Sequence, residues 1–542
     1  MKLRIFGIAI LWLSSWVCNG SQAGAFDFHV SDNSQFASAF SNASPGDNIL
    51  LQPGNYNGGR YRLGLSDVTI RSVDPANRAV IQGGTNGIQL SSAQSVTLQD
   101  LVFEGQAANG VNIDDGGNIS TPSTDITLRR VTFRDIGSSG NHDGVKLSGV
   151  NDFLLDQVEV LNWGNGGSAV DMVGSHRGVI QNSYFFDPGT TVASAVRPKG
   201  GSKDITIRGN RIELPSGAGR AIQAGGSTGT QYFRFLDGDS GYEADEIIAE
   251  GNVIIGGVSA FSFVNIDGGL FHHNYVQRPR NWTVRILNEN QGNPIVDTQN
   301  GVVRDNSIVF SDTPGEYSTA VNIGPETLPE TFTFARNQWL NLANPTSAGS
   351  TPQLPVTEAS GIYGQDSGID PDEVIAWDFE WGVWLVNASS QTNSFTVANP
   401  DEYQEAVVQA SGNFVPSGGD PFVGAWQYTD LTSGQLQLEP FSQLVLRLNS
   451  DLPSADANDD GQVDGSDFLD WQAGFGTSSP AKVDGDFTGD SEVDANDLAL
   501  WHDQYGSGVA SSFSSAIVPE PTSVAMFVLG TVFCGRLSRK RH

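Results

Sequence analysis

Gly144-Val145-Lys146-Leu147 places a small, an apolar, a polar and an apolar residue in succession, and this four-residue figure keeps returning. Gly87-Ile88-Gln89-Leu90 and Gly110-Val111-Asn112-Ile113 precede it; Ala169-Val170-Asp171-Met172, Ala195-Val196-Arg197-Pro198 and Ala221-Ile222-Gln223-Ala224 follow. Ala260-Phe261-Ser262-Phe263, Thr283-Val284-Arg285-Ile286 and Ala320-Val321-Asn322-Ile323 extend the series. Successive copies lie roughly 22 to 39 residues apart, the range of stacked-repeat architectures. Alternate side chains of a strand share a face, so the two apolar positions point one way and the small and polar positions the other. Stacked strands then present an outward ladder of Gln89, Asn112, Lys146, Asp171, Arg197, Gln223, Ser262, Arg285 and Asn322. The ladder is expected to floor a functional groove, with Gly144, Ala169, Ala195 and Ala221 leaving it open to a long ligand.

A second repeated strand keeps step with the first: Val68-Thr69-Ile70, Val96-Thr97-Leu98, Ile126-Thr127-Leu128, Phe153-Leu154-Leu155, Ile205-Thr206-Ile207, Ile247-Ile248-Ala249 and Phe332-Thr333-Phe334. A further short strand follows, as in Val131-Thr132-Phe133 and Val158-Glu159-Val160. Short β-rich segments parted by Gly, Asn, Asp or Ser, repeated about ten times with hardly any helical period, predict an all-β parallel β-helix. A β-sandwich would not repeat both strands in step. Asn210, Asn252, Asn274, Asn306 and Asn337 recur at one place in successive repeats. Stacked turn asparagines exchanging hydrogen bonds are a structural device, and no function is assigned to them.

A solenoid needs its first coil covered, because an open end exposes core and strand edges. Ser34 to Phe40 predicts a short amphipathic helix, Pro45-Gly46-Asp47 a turn, and Asn48 to Leu51 a strand. This start resembles the N-terminal cap of pectate-lyase-like right-handed β-helices. The regularity breaks between Gln223 and Ala260, where Gly225-Gly226-Ser227-Thr228-Gly229 and Gln231-Tyr232-Phe233-Arg234-Phe235-Leu236 are inserted. Insertions in solenoids become loops over one face, so this one is expected to overhang the groove. The repeats fade past Asn337, and a Pro-, Ser- and Thr-rich stretch over 344–355 marks a boundary. The β-helix is thus expected over 26–345, and a β-rich module or C-terminal cap, with Trp377, Trp381, Trp384 and Trp426, over 346–452.

The two ends look removable. Lys2 and Arg4, an apolar run from Ile5 to Val17 and Ala23-Gly24-Ala25 read as an export signal over 1–25. Residues 509–542 hold a linker and then Val518-Pro519-Glu520-Pro521, an apolar stretch from Val524 to Gly535, and Arg536, Arg539, Lys540 and Arg541. This end resembles the PEP-CTERM sorting signal of Gram-negative envelopes. The resemblance implies export, transient membrane attachment through the tail, and its removal by a sorting protease, with an extracellular or cell-surface destination. A plain tail anchor is the alternative. Both cysteines, Cys18 and Cys534, fall inside these ends, so neither disulfides nor thiolate-bound metal would support the remaining chain. A formal charge of −32 over 542 residues argues against a nucleic-acid partner.

Part of that charge has a defined place. Asp456, Asn458, Asp460, Asp464 and Asp467 fall at positions 1, 3, 5, 9 and 12 of a calcium loop, with Gln462 offering a backbone carbonyl and Gly461 making the sharp turn. A second loop begins at Asp486 and uses Thr488, Asp490, Glu492 (backbone), Asp494 and Asp497. Asp467 and Asp497, Trp471 and Trp501, and Gly476 and Gly506 each stand thirty residues apart. Residues 453–508 resemble a type I dockerin, an α-helical pair of EF-hand-like loops. The resemblance implies two calcium ions and, in some lineages, a cohesin-like protein partner; a calcium-stiffened spacer is the alternative. Thr488, and Ser491 where Gly is usual, point to a weaker second site.

Lysine placement singles out the groove. Between the removable ends the chain has only Lys146, Lys199, Lys203 and Lys482. Lys146 and Lys199 fall on the outward face near Arg197, with Arg220, Arg234 and Arg285 close by in repeat order. A cationic strip on an acidic protein suggests an anionic ligand. Lys199-Gly200-Gly201-Ser202, the glycine-rich insertion and Tyr232-Phe233-Arg234 look like a set of exported bacterial β-helix proteins, and the core resembles the pectate-lyase-like superfamily of polysaccharide-active proteins.

That likeness implies β-elimination on an acidic, uronate-containing polysaccharide, in which a cation neutralises the carboxylate, a base takes the C5 proton and an acid protonates the leaving oxygen. Lys146 or Lys199 would be the base, Arg197 and Arg220 the carboxylate clamp, and His142 or Asp143 the acid. Asp171 would orient them or hold a further calcium ion, and Gln223, Arg234 and Arg285 would bind substrate. A glycoside hydrolase using Asp143 and Asp171 as its carboxyl pair is the first alternative. A non-catalytic glycan-binding surface scaffold is the second.

Overall fold

The computed structural model describes residues 26–137, 140–236, 238–290, 295–312 and 317–364, and shorter stretches beyond these up to residue 502. The segments expected to act as export and sorting signals, with Cys18 and Cys534, lie outside the described residues. So do Trp381 and the calcium-loop positions Asp456, Asn458, Asp460, Gln462, Asp464, Thr488, Asp490, Glu492 and Asp494.

Three long parallel sheets wind into a right-handed parallel β-helix. The ladder sheet stacks ten strands, among them Arg60–Leu63, Ile88–Ser91, Val111–Asp114, Val145–Ser148, Ser168–Val173, Ser194–Lys199, Arg220–Gly225, Ser259–Val264 and Trp282–Leu287. Register is kept throughout: Gln89 pairs Asn112, Asn112 pairs Lys146, Lys146 pairs Asp171 and Asp171 pairs Arg197. Gln223, Ser262, Arg285 and Asn322 continue the line. The ladder read from the sequence is therefore the observed one, with one more rung, Tyr61, paired to Gln89.

The second sheet sends Val68, Val96, Ile126, Phe153, Gly178, Ile205 and Ile247 into the core in one column. Its strand His176–Gln181 was invisible to pattern because Gly178 breaks the apolar series. Glycine stands there because the Phe153 ring already fills the space that a Cβ would need. The third sheet, with Thr132–Arg134, Glu159–Leu161, Tyr184–Phe186 and Arg211–Leu214, closes the coil.

The small residues of the four-residue figure do not open the groove; they face the interior. A Cβ on Gly110 would collide with the Phe133 ring, and one on Gly144 with Val160. Ala169, Ala195 and Ala221 are fully buried in the common core. At the corner entering each ladder strand, two successive residues turn inward, and a third-sheet side chain takes up the volume that the small residue leaves.

The asparagine series behaves as a structural device. Asn274 Nδ2 donates to the carbonyls of Ala249 (2.9 Å) and His272 (2.8 Å) and to Asn306 Oδ1 (3.0 Å), and the same pattern repeats at Asn252 and Asn306. All five asparagines are completely buried. Each repeat thus satisfies turn groups that would otherwise be buried unpaired.

Helix Asn33–Asn42 covers the first coil, capped by Asp32, whose carboxylate accepts from the Gln35 amide at 2.8 Å. Phe36, Ala39 and Phe40 pack into the core. Arg62 closes the other end of this helix, donating to the carbonyls of Phe40 (2.9 Å), Ser41 and Ala43 (3.0 Å), which have no partner within the helix.

The β-helix runs past residue 345. Ile362–Tyr363 adds a strand beside Gln338–Asn341, and the Glu358 carboxylate ends the asparagine stack by accepting from Asn337 Nδ2 (2.7 Å) and Trp339 Nε1 (3.0 Å). Beyond it in sequence comes a five-stranded sheet ordered Val374–Phe379, Gly382–Asn387, Gln443–Leu448, Tyr403–Gln409, Trp426–Tyr428, whose first three strands and last two pair antiparallel.

The chain divides into two compact units at Arg447 and Leu448. In the second, helix Gly465–Gly474 carries Phe468, whose ring lies 5.5 Å from Trp471 and 5.0 Å from Trp501. Val463 and Val493, thirty residues apart, share one small core, so the two halves of the duplication pack on each other.

Candidate active site

Three consecutive ladder strands bring Lys146, Asp171 and Lys199 together. Asp171 is the centre: one carboxylate oxygen binds the Lys146 ammonium, and the other lies 3.1 Å from Lys199 Nζ. Lys146 also reaches Asp143, at 3.5 Å. Strand alternation explains the set, because positions 146, 171 and 197 share one outward column and Lys199 stands two residues on from Arg197, on the same face.

Asp143 belongs to a second, shorter stack. Its backbone amide donates to Asn109 Oδ1 (2.9 Å), as that of Asn109 does to Asn86 Oδ1 (3.1 Å), and its own carboxylate accepts from the Ser168 amide (2.8 Å). Only 1% of Asp143 and 2% of Asp171 is exposed.

Burial and mutual charge split the titrations of these four groups. Burial, and then the neighbouring Asp171 charge, push the Asp143 carboxyl up to about 6. Asp171 is held below the usual carboxylate range: burial works against ionisation, but Lys146, Lys199 and Arg197 outweigh it. Burial also disfavours the Lys146 ammonium, yet Asp171 and Asp143 overcome this and raise its pKa. Lys199 goes the other way. Burial lowers it, Asp171 opposes, and Arg197 and Lys146 push it lower still. The two lysines on Asp171 are thus shifted in opposite directions, Lys146 up and Lys199 down.

Arg197, Arg220 and Arg285 flank this centre. Glu289, carried in from a later coil, stands between the first two at 3.7 Å from Arg197 and 3.6 Å from Arg220, outside hydrogen-bond reach. The Nε atoms of Arg197 and Arg220 are buried without a hydrogen-bond acceptor among the described residues. Burial lowers the Arg220 pKa, and burial with the Arg220 charge lowers Arg285 to about 10. Arg285 stacks on Trp282 at 4.7 Å and donates to Asn322 at 3.2 Å.

The insertion runs back along the rim of the ladder sheet. Arg234 crosses Gly149 and Gly174, where a Cβ would strike its side chain, and forms a two-point ion pair with Asp115. Its backbone amide donates to Gly200 O at 3.0 Å. Gly149, Gly174 and Gly200 all have positive φ (+69°, +55° and +63°), so they suit both the turn and the close approach. Arg234, expected as a substrate contact, is engaged with Asp115 and straps the insertion down.

Glu243 was missed by the sequence reading. Completely buried, it accepts from the Gly200 amide (2.8 Å), the Thr228 amide (2.6 Å), the Thr228 hydroxyl (2.8 Å) and Asn290 Nδ2. One carboxylate therefore ties together the turn after Lys199, the insertion and the segment carrying Glu289. Neither Glu243 nor Glu289 is in a repeat, so no period marks them.

Other expected residues fall elsewhere. Gln223 and Ser262 are fully buried: Gln223 Nε2 donates to Gly225 O (3.2 Å), and Ser262 bonds Ser259 (3.1 Å). The ladder is thus covered at these rungs instead of forming an open floor. The half-buried His142 lies beside Gly140, Gly164 and Gly167 and makes no ion pair with Lys146, Asp171 or Lys199 among the described contacts. Asp143 and Asp171 both clasp one ammonium, so neither is placed as a solvent-facing hydrolase carboxyl. Among the described residues, no group of three or more His, Cys, Asp or Glu is arranged to hold a metal. Two shallow surface cavities, lined by residues such as Ser92 and Pro122, and Asp204 and Glu246, lie away from this cluster.

No protein-family model and no curated protein sequence matches this chain. Among solved structures, the chain is similar to an alginate lyase from a Paenibacillus species (16% identity, 55% of this chain and 99% of that one, TM-score 0.38). It is similar also to the A-module of a mannuronan C-5 epimerase from Azotobacter vinelandii (14%, 55% and 92%, 0.36) and to a family 28 exopolygalacturonase from Yersinia enterocolitica (10%, 59% and 72%, 0.41). At these scores the likenesses carry no argument. The β-helix assignment rests on the strand register of this chain itself.

Proposed function

We propose that this protein is a polysaccharide lyase that cleaves an acidic, uronate-containing glycan by β-elimination. The observation that carries the reading is the geometry: Lys146 and Lys199 sit on opposite oxygens of the buried Asp171 carboxylate, beside Arg197 and Arg220, with burial drawing the Lys199 pKa down while Asp171 and Asp143 raise that of Lys146. Environments that push two like groups apart assign base and acid. Lys199 takes the C5 proton, the electron pair forms the C4–C5 double bond, and the bond from C4 to the leaving oxygen breaks. Lys146 donates a proton to that oxygen, in the role first assigned to His142 or Asp143. Arg197 and Arg220, partly exposed and beyond hydrogen-bond reach of Glu289, clamp the uronate carboxylate and stabilise the charge that develops on it. Asp171 holds the two lysines in place.

The protein is tested against a panel of acidic and neutral polysaccharides, with ultraviolet absorbance of the unsaturated product as readout. Lys199→Ala is expected to abolish the signal on whichever acidic glycan the wild type cleaves. Full activity in both Lys199→Ala and Lys146→Ala would overturn the assignment.

The two ends support export with processing at the cell surface, and the dockerin-like unit supports binding of two calcium ions and docking to a cohesin-like protein. Its ligand set is all oxygen, the chemistry that calcium selects, and its described members Asp467, Asp486 and Asp497 are buried carboxylates.

A further inference from the structure

The outward ladder does not stop at Gln89. Strand Arg60–Leu63 pairs beside it in register, with Tyr61 opposite Gln89 and Leu63 opposite Ser91. The alternation of this strand is pinned from the other side. Arg62 is bound to the helix carbonyls described above, and Arg60 lies over the Phe36 ring at 5.0 Å and donates to Asn33 O at 3.4 Å. Tyr61 and Leu63 therefore face outward, and they are 58% and 62% exposed, which is unusual for two large apolar side chains side by side on a regular strand.

Between them and Lys146 the rungs are amides held by Asn86 and by the partly exposed Asp114 carboxylate. Asn86 Nδ2 donates to Gln89 Oε1 (3.2 Å), and Gln89 and Asn112 both donate to Asp114 Oδ2 (3.2 and 2.8 Å). Gln89 and Asn112 remain partly exposed, unlike the covered rungs Gln223 and Ser262. The uncovered direction from Lys146 is thus toward Tyr61, across three strand spacings, or about 14 Å.

We infer that Tyr61, with Leu63, is a remote sugar subsite of the same groove: the phenol ring stacks on a pyranose of the bound glycan, and Gln89 and Asn112 hydrogen-bond the hydroxyls between it and the reacting uronate. A flat ring with a polar tip suits the apolar face and hydroxyl rim of a sugar. Exposed amides offer donors and acceptors to hydroxyls, and the Asp114 carboxylate that holds them disfavours a uronate and favours a hydroxyl contact at these positions. The inference rests on the proposed polysaccharide reading and adds to it that recognition is longer than the reacting unit.

The test compares wild type, Tyr61→Ala and Tyr61→Phe on oligouronates of two to six units, by calorimetric binding and by kcat/KM for each length. Both changes are at an exposed site, and thermal unfolding checks that the fold is kept. For the wild type, affinity is expected to rise with length up to an oligomer spanning the three rungs. Tyr61→Ala loses that gain, about ten-fold for the longest oligomer, leaves the shortest unchanged, and Tyr61→Phe largely restores it. Equal affinity of wild type and Tyr61→Ala at every length would overturn the subsite while leaving the lyase reading intact. No binding of any oligouronate or acidic polymer to wild type would overturn both.

Discussion

Replacing Asp171 by Asn keeps the shape of the side chain and removes the charge on which the candidate site is built. Asp171 is 2% exposed and touches both lysines. At the 3.1 Å separation of the Lys199 contact, two unit charges attract by about 5 kcal/mol with an effective dielectric of about 20. Lys146 keeps Asp143 at 3.5 Å, whereas Lys199 has no other carboxylate among its described ion pairs. Removing one partner of a buried pair costs about 3–5 kcal/mol, because the remaining charge stays desolvated. Asp171→Asn is therefore expected to lower the unfolding free energy of the β-helix by about 3 kcal/mol, toward the lower end because Asn can still accept a hydrogen bond. Urea unfolding of the full chain, followed by circular dichroism, measures this.

The same substitution makes a second, independent claim. Asp171 favours the Lys199 ammonium, so without it the Lys199 pKa falls further. If neutral Lys199 is the base, activity rises with pH as its proton leaves, and the rising limb of the pH–rate profile moves to lower pH in Asp171→Asn. The linkage has a matching sign. A lysine whose folded pKa lies below its unfolded value destabilises the fold while charged, and stability recovers as pH rises through the window between the two values. A rising limb that stays in place or moves to higher pH, in a variant with native circular dichroism, would refute the electrostatic reasoning.

Three further outcomes are expected. Asn274→Ala removes three donated hydrogen bonds and the acceptor for the Asn252 amide, and buried unsatisfied groups cost about 1–3 kcal/mol each; urea unfolding should show a loss of about 3 kcal/mol or more. Gly174→Ala forces a Cβ into Arg234 at a backbone φ of +55°, so it should loosen the Arg234–Asp115 strap; faster proteolysis within 226–243, with little change in the global unfolding midpoint, would show it. Calorimetric titration of the full chain should detect two calcium ions, one fewer in Asp467→Ala, and absence of any calcium binding would sink that assignment.

The ladder was legible because a solenoid repeats its errors as well as its pattern: one rung out of register would misplace all that follow, and none is. The direction of the small residues was not legible. Alternation in a strand says Gly144 should face Lys146's side, but at a corner two neighbours turn inward, and what lies behind Gly144 is Val160, sixteen residues on. Tyr61 escaped because Arg60-Tyr61-Arg62-Leu63 has arginines where the figure has small and apolar residues. Those arginines serve the capping helix instead of the core. Glu243 and Glu289 escaped for a different reason. Their importance comes from segments far apart in sequence meeting at one carboxylate, and nothing local encodes that meeting. That Lys146, Asp171, Arg197 and Lys199 lie together was legible from charge placement, but the opposite shifts of the two lysines depend on burial and neighbours that the sequence does not display.

The central claim is that the opposed lysines carry out an elimination. The most direct measurement is the mass of any products released when the protein is incubated with acidic polysaccharides. The account predicts fragments lighter by one water than hydrolysis products, bearing an unsaturated non-reducing end, and their disappearance in Lys199→Ala. Fragments with the mass of hydrolysis products, or undiminished release by Lys199→Ala, would contradict it.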